Sequence, residues 1–134
     1  MEKIICDTDV LIDYFDNSKS RHIPTKQILD FQIHIDNVVL SAITRMELIA
    51  GAGNNSELKS LNKNLDHLDI LLINPAISSI ALNLMGKYRL SHKLDIPDAL
   101  IAATAIYTGF KLFTYNVKDY KFINGLILYN LSAK

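Results

Sequence analysis

Ile4-Ile5-Cys6-Asp7-Thr8-Asp9-Val10-Leu11-Ile12-Asp13 is the stretch from which the fold can be read. Its first apolar run shows no alternation, the pattern of a strand covered on both faces. The second apolar run, behind Asp9, reads as the opening of a helix over residues 9–15. Asp7 then falls where a central strand stops, on the carboxyl edge of a sheet. Open α/β sheets bind their ligands on that edge. A carboxylate there is costly to desolvate unless a cation or hydrogen bonds compensate it.

Outward from this stretch, apolar runs and amphipathic segments take turns. Residues 17–21 form a polar loop, and Pro24 opens a helix to about residue 31 or 34 with Ile28 and Leu29 inward. Asp36-Asn37 makes a turn before a short strand, Val38-Val39-Leu40. Ser41 is placed to cap a helix over residues 42–50, which ends at Gly51 and Gly53. Asn54 and Glu57 resemble a capping box for a helix whose stripe is Leu58, Leu61, Leu65 and Leu68. A third strand is expected over residues 70–73, and Asn74-Pro75 starts a helix with Ile77, Ile80, Ala81, Leu84 and Tyr88 on one side. After a basic segment, 89–95, Pro97 opens a helix that is apolar nearly all round and must be buried. A fourth strand, 112–114, a polar loop, 115–120, and an edge strand, 126–129, complete the pattern. Strands separated by helices pair in parallel through right-handed crossovers. The expectation is an α/β fold, a three-layer α/β/α domain over residues 1–134 with a central, mostly parallel sheet of roughly four or five strands.

Fourteen basic and fourteen acidic residues cancel, which argues against a protein that coats nucleic acid through bulk charge. A metal-assisted enzyme of local phosphodiester chemistry stays open. The lone cysteine, Cys6, permits no internal disulfide and reads as core packing. No leader and no apolar run of about 20 residues is visible, so a cytoplasmic protein with no membrane contact is expected.

Several polar residues share one placement, just past a strand or early in a helix. Asp7 ends the first strand; Glu47 follows the second, on a helix face shared with Ile43 and Ala50 where an apolar residue belongs. Asp98 lies in the first turn of the most apolar helix, and Asn116 and Asp119 follow the fourth strand. Each alone has a plain explanation: a helix cap for Asp9, a dipole partner for Asp98, loop polarity for the rest. Together, a parallel sheet brings them to one edge, where their mutual repulsion calls for divalent cations. Oxygen ligands without Cys or His suit Mg²⁺ or Mn²⁺, the usual equipment of metal-assisted phosphodiester hydrolysis.

Four motifs carry a resemblance. Residues 5–13 (I-C-D-T-D-V-L-I-D), 41–48 (S-A-I-T-R-M-E-L), 96–103 (I-P-D-A-L-I-A-A) and 114–120 (T-Y-N-V-K-D-Y) resemble, in order and spacing, those of PIN-domain ribonucleases, especially VapC toxins. The resemblance implies a Mg²⁺- or Mn²⁺-dependent endoribonuclease, a homodimer held inactive by a cognate antitoxin. RNA would be its substrate, and DNA would be met only through the antitoxin. Asp7, Glu47 and Asp98 would be the metal-binding acids. Thr8, Asp9, Thr44 and Thr114 would orient water or ligands around them. Arg45 would pair with an acid or meet the antitoxin or the RNA. The family often has Asp where this chain has Asn116, a weaker, uncharged ligand. Asn116 and Asp119 are therefore alternative candidates to complete the site. Residues 16–31 and the helix from Asn54 are where the antitoxin would lie.

Other features are weaker. His22, His34, His67 and His92 lack ligand spacing. Arg89, His92 and Lys93, with Lys111, Lys118 and Lys121, either flank an RNA groove or are solvated loop charge. Tyr115 and Tyr120 stack bases or pack in the core. Asp7-Thr8-Asp9 also resembles the nucleophile loop of haloacid-dehalogenase-like phosphatases, but the later paired-Asp motif of that chemistry is missing. A PIN-like domain that binds without cleaving is the other alternative, and Asn116 is the residue in its favour.

Overall fold

The computed structural model of the chain describes residues 2–131, so the ends of the domain expected over 1–134 lie outside the described residues. Strands β1 (Ile4–Cys6), β2 (Val38–Ser41), β3 (Asp69–Leu71) and β4 (Lys111–Phe113) pair in parallel, in the order β3-β2-β1-β4. Ile5 stands beside Val39 and Leu112, and Cys6 beside Phe113. Alternation then sends Ile5, Val39 and Leu112 into one core and Ile4, Cys6, Val38, Leu40 and Phe113 into the other. Both faces are therefore covered, as the unalternating β1 run requires.

Helices α5 (Pro75–His92) and α6 (Ile96–Thr108) cover the first face. Buried Ala99, Ala102, Ala103 and Ala105 keep α6 thin, so it lies close to both the sheet and α5. The second face carries α1 (Thr8–Phe15), α2 (His22–Gln27), α3 (Ala42–Ala50) and α4 (Asn55–Leu65). These are the three expected layers. α2 begins two residues before Pro24, which stands in the first turn where its missing N–H is not needed. The helix does not end at residue 27 but widens into a π-helical segment, Ile28–Ile33, which keeps Leu29 and Ile33 buried.

Ser41 caps α3 as expected, its Oγ accepting the Thr44 N–H at 3.1 Å. Gly51 ends that helix at φ −83°, so no left-handed turn is needed there. Asn54 accepts the Glu57 N–H at 2.9 Å, while Glu57 reaches past the cap to the Gly53 N–H at 3.0 Å.

Three expectations change. The third strand covers Asp69–Leu71 rather than 70–73, and as the sheet edge it is exposed at Asp69 and Ile70. The fifth strand, 126–129, is reduced to a single parallel bridge from Leu128 to Leu112. Leu112 donates to the Ile127 carbonyl at 2.9 Å and accepts from the Tyr129 N–H at 2.8 Å, which covers the outer edge of β4. Finally, part of the basic segment is helix: α5 runs to His92, and Lys93 takes the left-handed cap at φ 59°.

Candidate active site

Asp7 leaves β1 and caps α1, its Oδ1 accepting the Thr8 N–H at 2.8 Å. Its Oδ2 takes the Thr114 hydroxyl at 2.8 Å, and the side chain is nearly buried. Burial raises its pKa, against the hydrogen bonds from Thr114 and Thr8, and the Glu47 charge adds to the rise. Asp98, half-buried in the first turn of α6, gives its Oδ1 to the Tyr120 hydroxyl at 3.0 Å. Desolvation first, then the charges of Asp7, Asp119 and Asp95, push its pKa up to about 6.

Glu47 arrives from α3. Thr8 Oγ1 donates to its Oε1 at 2.6 Å and lies 3.1 Å from Thr44 Oγ1, which the Ser41 cap holds in turn. Glu47 and Ala50 are exposed and Ile43 half-buried, so the acid does not displace a core residue as the helix pattern implied. What marks it is the Thr8 hydroxyl, contributed from another element. A cleft of about 550 Å³ joins Glu47 and Asp98 with Arg89, Asp95 and Met85. Arg89 Nη1 is held by Asp95 at 2.9 Å and by the Leu94 and Lys93 carbonyls.

Asp9 turns toward the loop after β4, its Oδ2 accepting the Tyr115 N–H at 3.1 Å. Its buried Oδ1 has no hydrogen-bond partner among the described residues. Burial and the Asp7 charge lift its pKa to about 6. Asn116 is exposed, and its backbone N–H donates to Thr114 Oγ1 at 3.0 Å, which braces the Asp7 partner. Asp119 is exposed too, but its charge is felt at Asp98.

Other candidates have different work. Arg45 binds Asp66 at 2.9 Å and Asn62 at 3.1 Å, tying α3 to α4. Lys111 begins β4, at the edge opposite the acids, and pairs with Glu2, so it does not flank the cleft. Tyr115 lies under the Arg21 guanidinium and bonds Thr25 at 2.6 Å. His22 bonds the Asp13 carbonyl, and His92 stacks on Phe122. Tyr120 is only 1% exposed, which removes base stacking from its options. Its contact with the acids is the feature that sequence reasoning missed, because chain spacing does not say which loop side chain folds inward.

The donors at this edge are carboxylates and hydroxyls, with no sulfur or imidazole, a set that fits a hard divalent cation. Among the described residues, no three acidic, His or Cys side chains stand close enough to form a ready cage. The acids converge, and the Tyr120 hydroxyl lies against two of them.

The fold and its acidic edge define a class that the comparison with known families makes explicit: the model of the PIN domain matches residues 4–122. This chain belongs to the PIN domain family. It is similar to Ribonuclease VapC19 of Mycobacterium tuberculosis, 29% identical over 117 residues, which cover 87% of this chain and 90% of the relative. It is also similar to a solved toxin–antitoxin complex from Klebsiella pneumoniae, with a TM-score of 0.75 and 31% identity, covering 96% of this chain and 100% of that one. VapBC2 of Rickettsia felis, bound to a promoter DNA fragment, shares the fold at a TM-score of 0.75 and 22% identity, over 95% of this chain and 97% of that one.

Proposed function

We propose that this protein is a Mg²⁺- or Mn²⁺-dependent endoribonuclease that hydrolyses RNA phosphodiester bonds as the toxin of a toxin–antitoxin pair. One observation carries the reading. Asp7, Glu47 and Asp98 gather at one edge, and no Lys or Arg is ion-paired with any of them among the described residues. Concentrated, uncompensated negative charge is what a cation site needs before its cation arrives. The ribonuclease and toxin–antitoxin relatives support the same reaction and partner.

Asp7, Glu47 and Asp98 would hold the ion, with Asp119 or Asn116 completing the site. The bound ion supplies an acidified water and offsets charge developing on the phosphate. The chain's own residues do the positioning. Thr114 and the Thr8 N–H fix both oxygens of Asp7, and the Thr8 hydroxyl, backed by Thr44, fixes Glu47. Arg89, braced by Asp95 in the same cleft, is the cation that meets an RNA phosphate beside the scissile one.

The protein acts in the cytoplasm as a homodimer and meets DNA only through its antitoxin. The antitoxin occupies a cleft of about 840 Å³ between α1, α2 and α4, lined by Phe15, His22, Lys26, Glu57, His67 and Leu68. The test is cleavage of a total-RNA pool by the purified protein with Mn²⁺ or Mg²⁺, beside EDTA, Asp7→Asn and Asp98→Asn controls. Discrete products that need the metal and vanish in both variants are expected. Uncut RNA with Mn²⁺ bound would favour the domain that binds without cleaving.

A further inference from the structure

We infer that the Tyr120 hydroxyl is a built-in competitor for the cation, holding Asp7 and Asp98 in the metal-free protein and giving up its carboxylate when the ion binds. The inference rests on the metal-site reading above and adds a residue to it. Tyr120 is buried to 1% exposure, with its ring in the core beneath α6. Its O–H therefore cannot turn to water, and it donates to Asp98 Oδ1 at 3.0 Å while facing the Asp7 carboxyl. A phenol has one proton to give, and two acids stand against it.

The acids' other oxygens are not equally open. Asp7 Oδ1 already accepts the Thr8 N–H and Oδ2 the Thr114 hydroxyl. A cation held by both Asp7 and Asp98 would compete with the phenol for the carboxylate charge that its O–H now engages. Phenol and cation thus serve the same purpose, setting positive charge between two carboxylates, and only one does so fully at a time.

Tyr120→Phe separates a competitor from a mere brace, because it keeps the ring that fills the core and removes only the O–H. The expected result is opposite movement of two quantities measured on the full-length protein. In EDTA the variant melts at a lower temperature than wild type. Its Mn²⁺ Kd, measured by calorimetry and by electron paramagnetic resonance of free Mn²⁺, falls on the order of tenfold, the size of one hydrogen bond to a charged group. An unchanged or weaker Mn²⁺ affinity in a folded Tyr120→Phe protein would overturn the inference and leave the metal site standing. Wild type that binds no Mn²⁺, or Asp98→Asn that binds it as wild type does, would overturn both. Should the variant not fold, the wild-type protein decides. Saturating Mg²⁺ must shift the assigned Tyr120 ¹³Cζ resonance, and an unmoved resonance refutes the competitor.

Discussion

Asp98 holds its proton until about pH 6, against an ordinary 3.8, because burial and the neighbouring acids disfavour the charge. Asp9, also near 6, behaves alike. Between these limits the folded protein keeps protons that the unfolded chain has released. The stability these groups contribute is complete below 3.8 and is lost as pH rises through about 6. Melting in EDTA should therefore move to higher temperature as pH falls from about 7 to about 5, with a smaller rise in Asp98→Asn. A melting temperature that does not respond to pH in this window would show that the acids are not strained. Thr8→Val tests the next atom outward. It removes the 2.6 Å bond to Glu47, so RNA cleavage should drop about tenfold while denaturant stability changes by less than ~1 kcal/mol. Asp7 was legible because it follows an apolar run, and Asp98 because it opens the most apolar helix. The burial of Tyr120 was not, because it depends on packing between the loop after β4 and α6, elements far apart in sequence.

Helix ends deliver the acids, and their caps set how firmly. Ser41, Asn54 and Asn74 each accept an N–H from three residues on, and each was readable from a polar residue ahead of an amphipathic run. The C-terminal cap of α5 was not. Lys93 adopts φ 59°, a conformation that favours glycine, so nothing in its identity announced a helix end. That turn reverses the chain into Asp95 and Pro97 and so aims Asp98. Lys93→Gly should stabilise the protein by about 0.5–1 kcal/mol in urea unfolding, because the left-handed cap penalises any residue with a Cβ. A loss of stability would mean that the Lys93 side chain makes a contact worth more than the strain. The edge strand β3 shows the opposite limit of sequence reading. Residues 70–73 are an unbroken apolar run, yet Leu72 is 69% exposed, since edge position is a property of the whole sheet.

Over the whole molecule there are two openings to compare: the acidic cleft between α3, α5 and α6, and the larger one between α1, α2 and α4. With the antitoxin bound, amide exchange should slow over residues 16–31 and 55–65, as measured by hydrogen–deuterium exchange mass spectrometry. Protection confined to α5 and α6 would place the partner on the other face. Parallel pairing also gives the molecule an order of assembly. β1 is at the centre of the sheet, yet its neighbour β4 is supplied more than a hundred residues later, where Ile5 meets Leu112. A nascent chain on the ribosome thus carries Asp7 from the outset but has no Thr114 or Tyr120 to set against it. Contacts this distant in sequence form late. An acidic edge built this way is completed only when β4 docks, after residues 111–113 have been made.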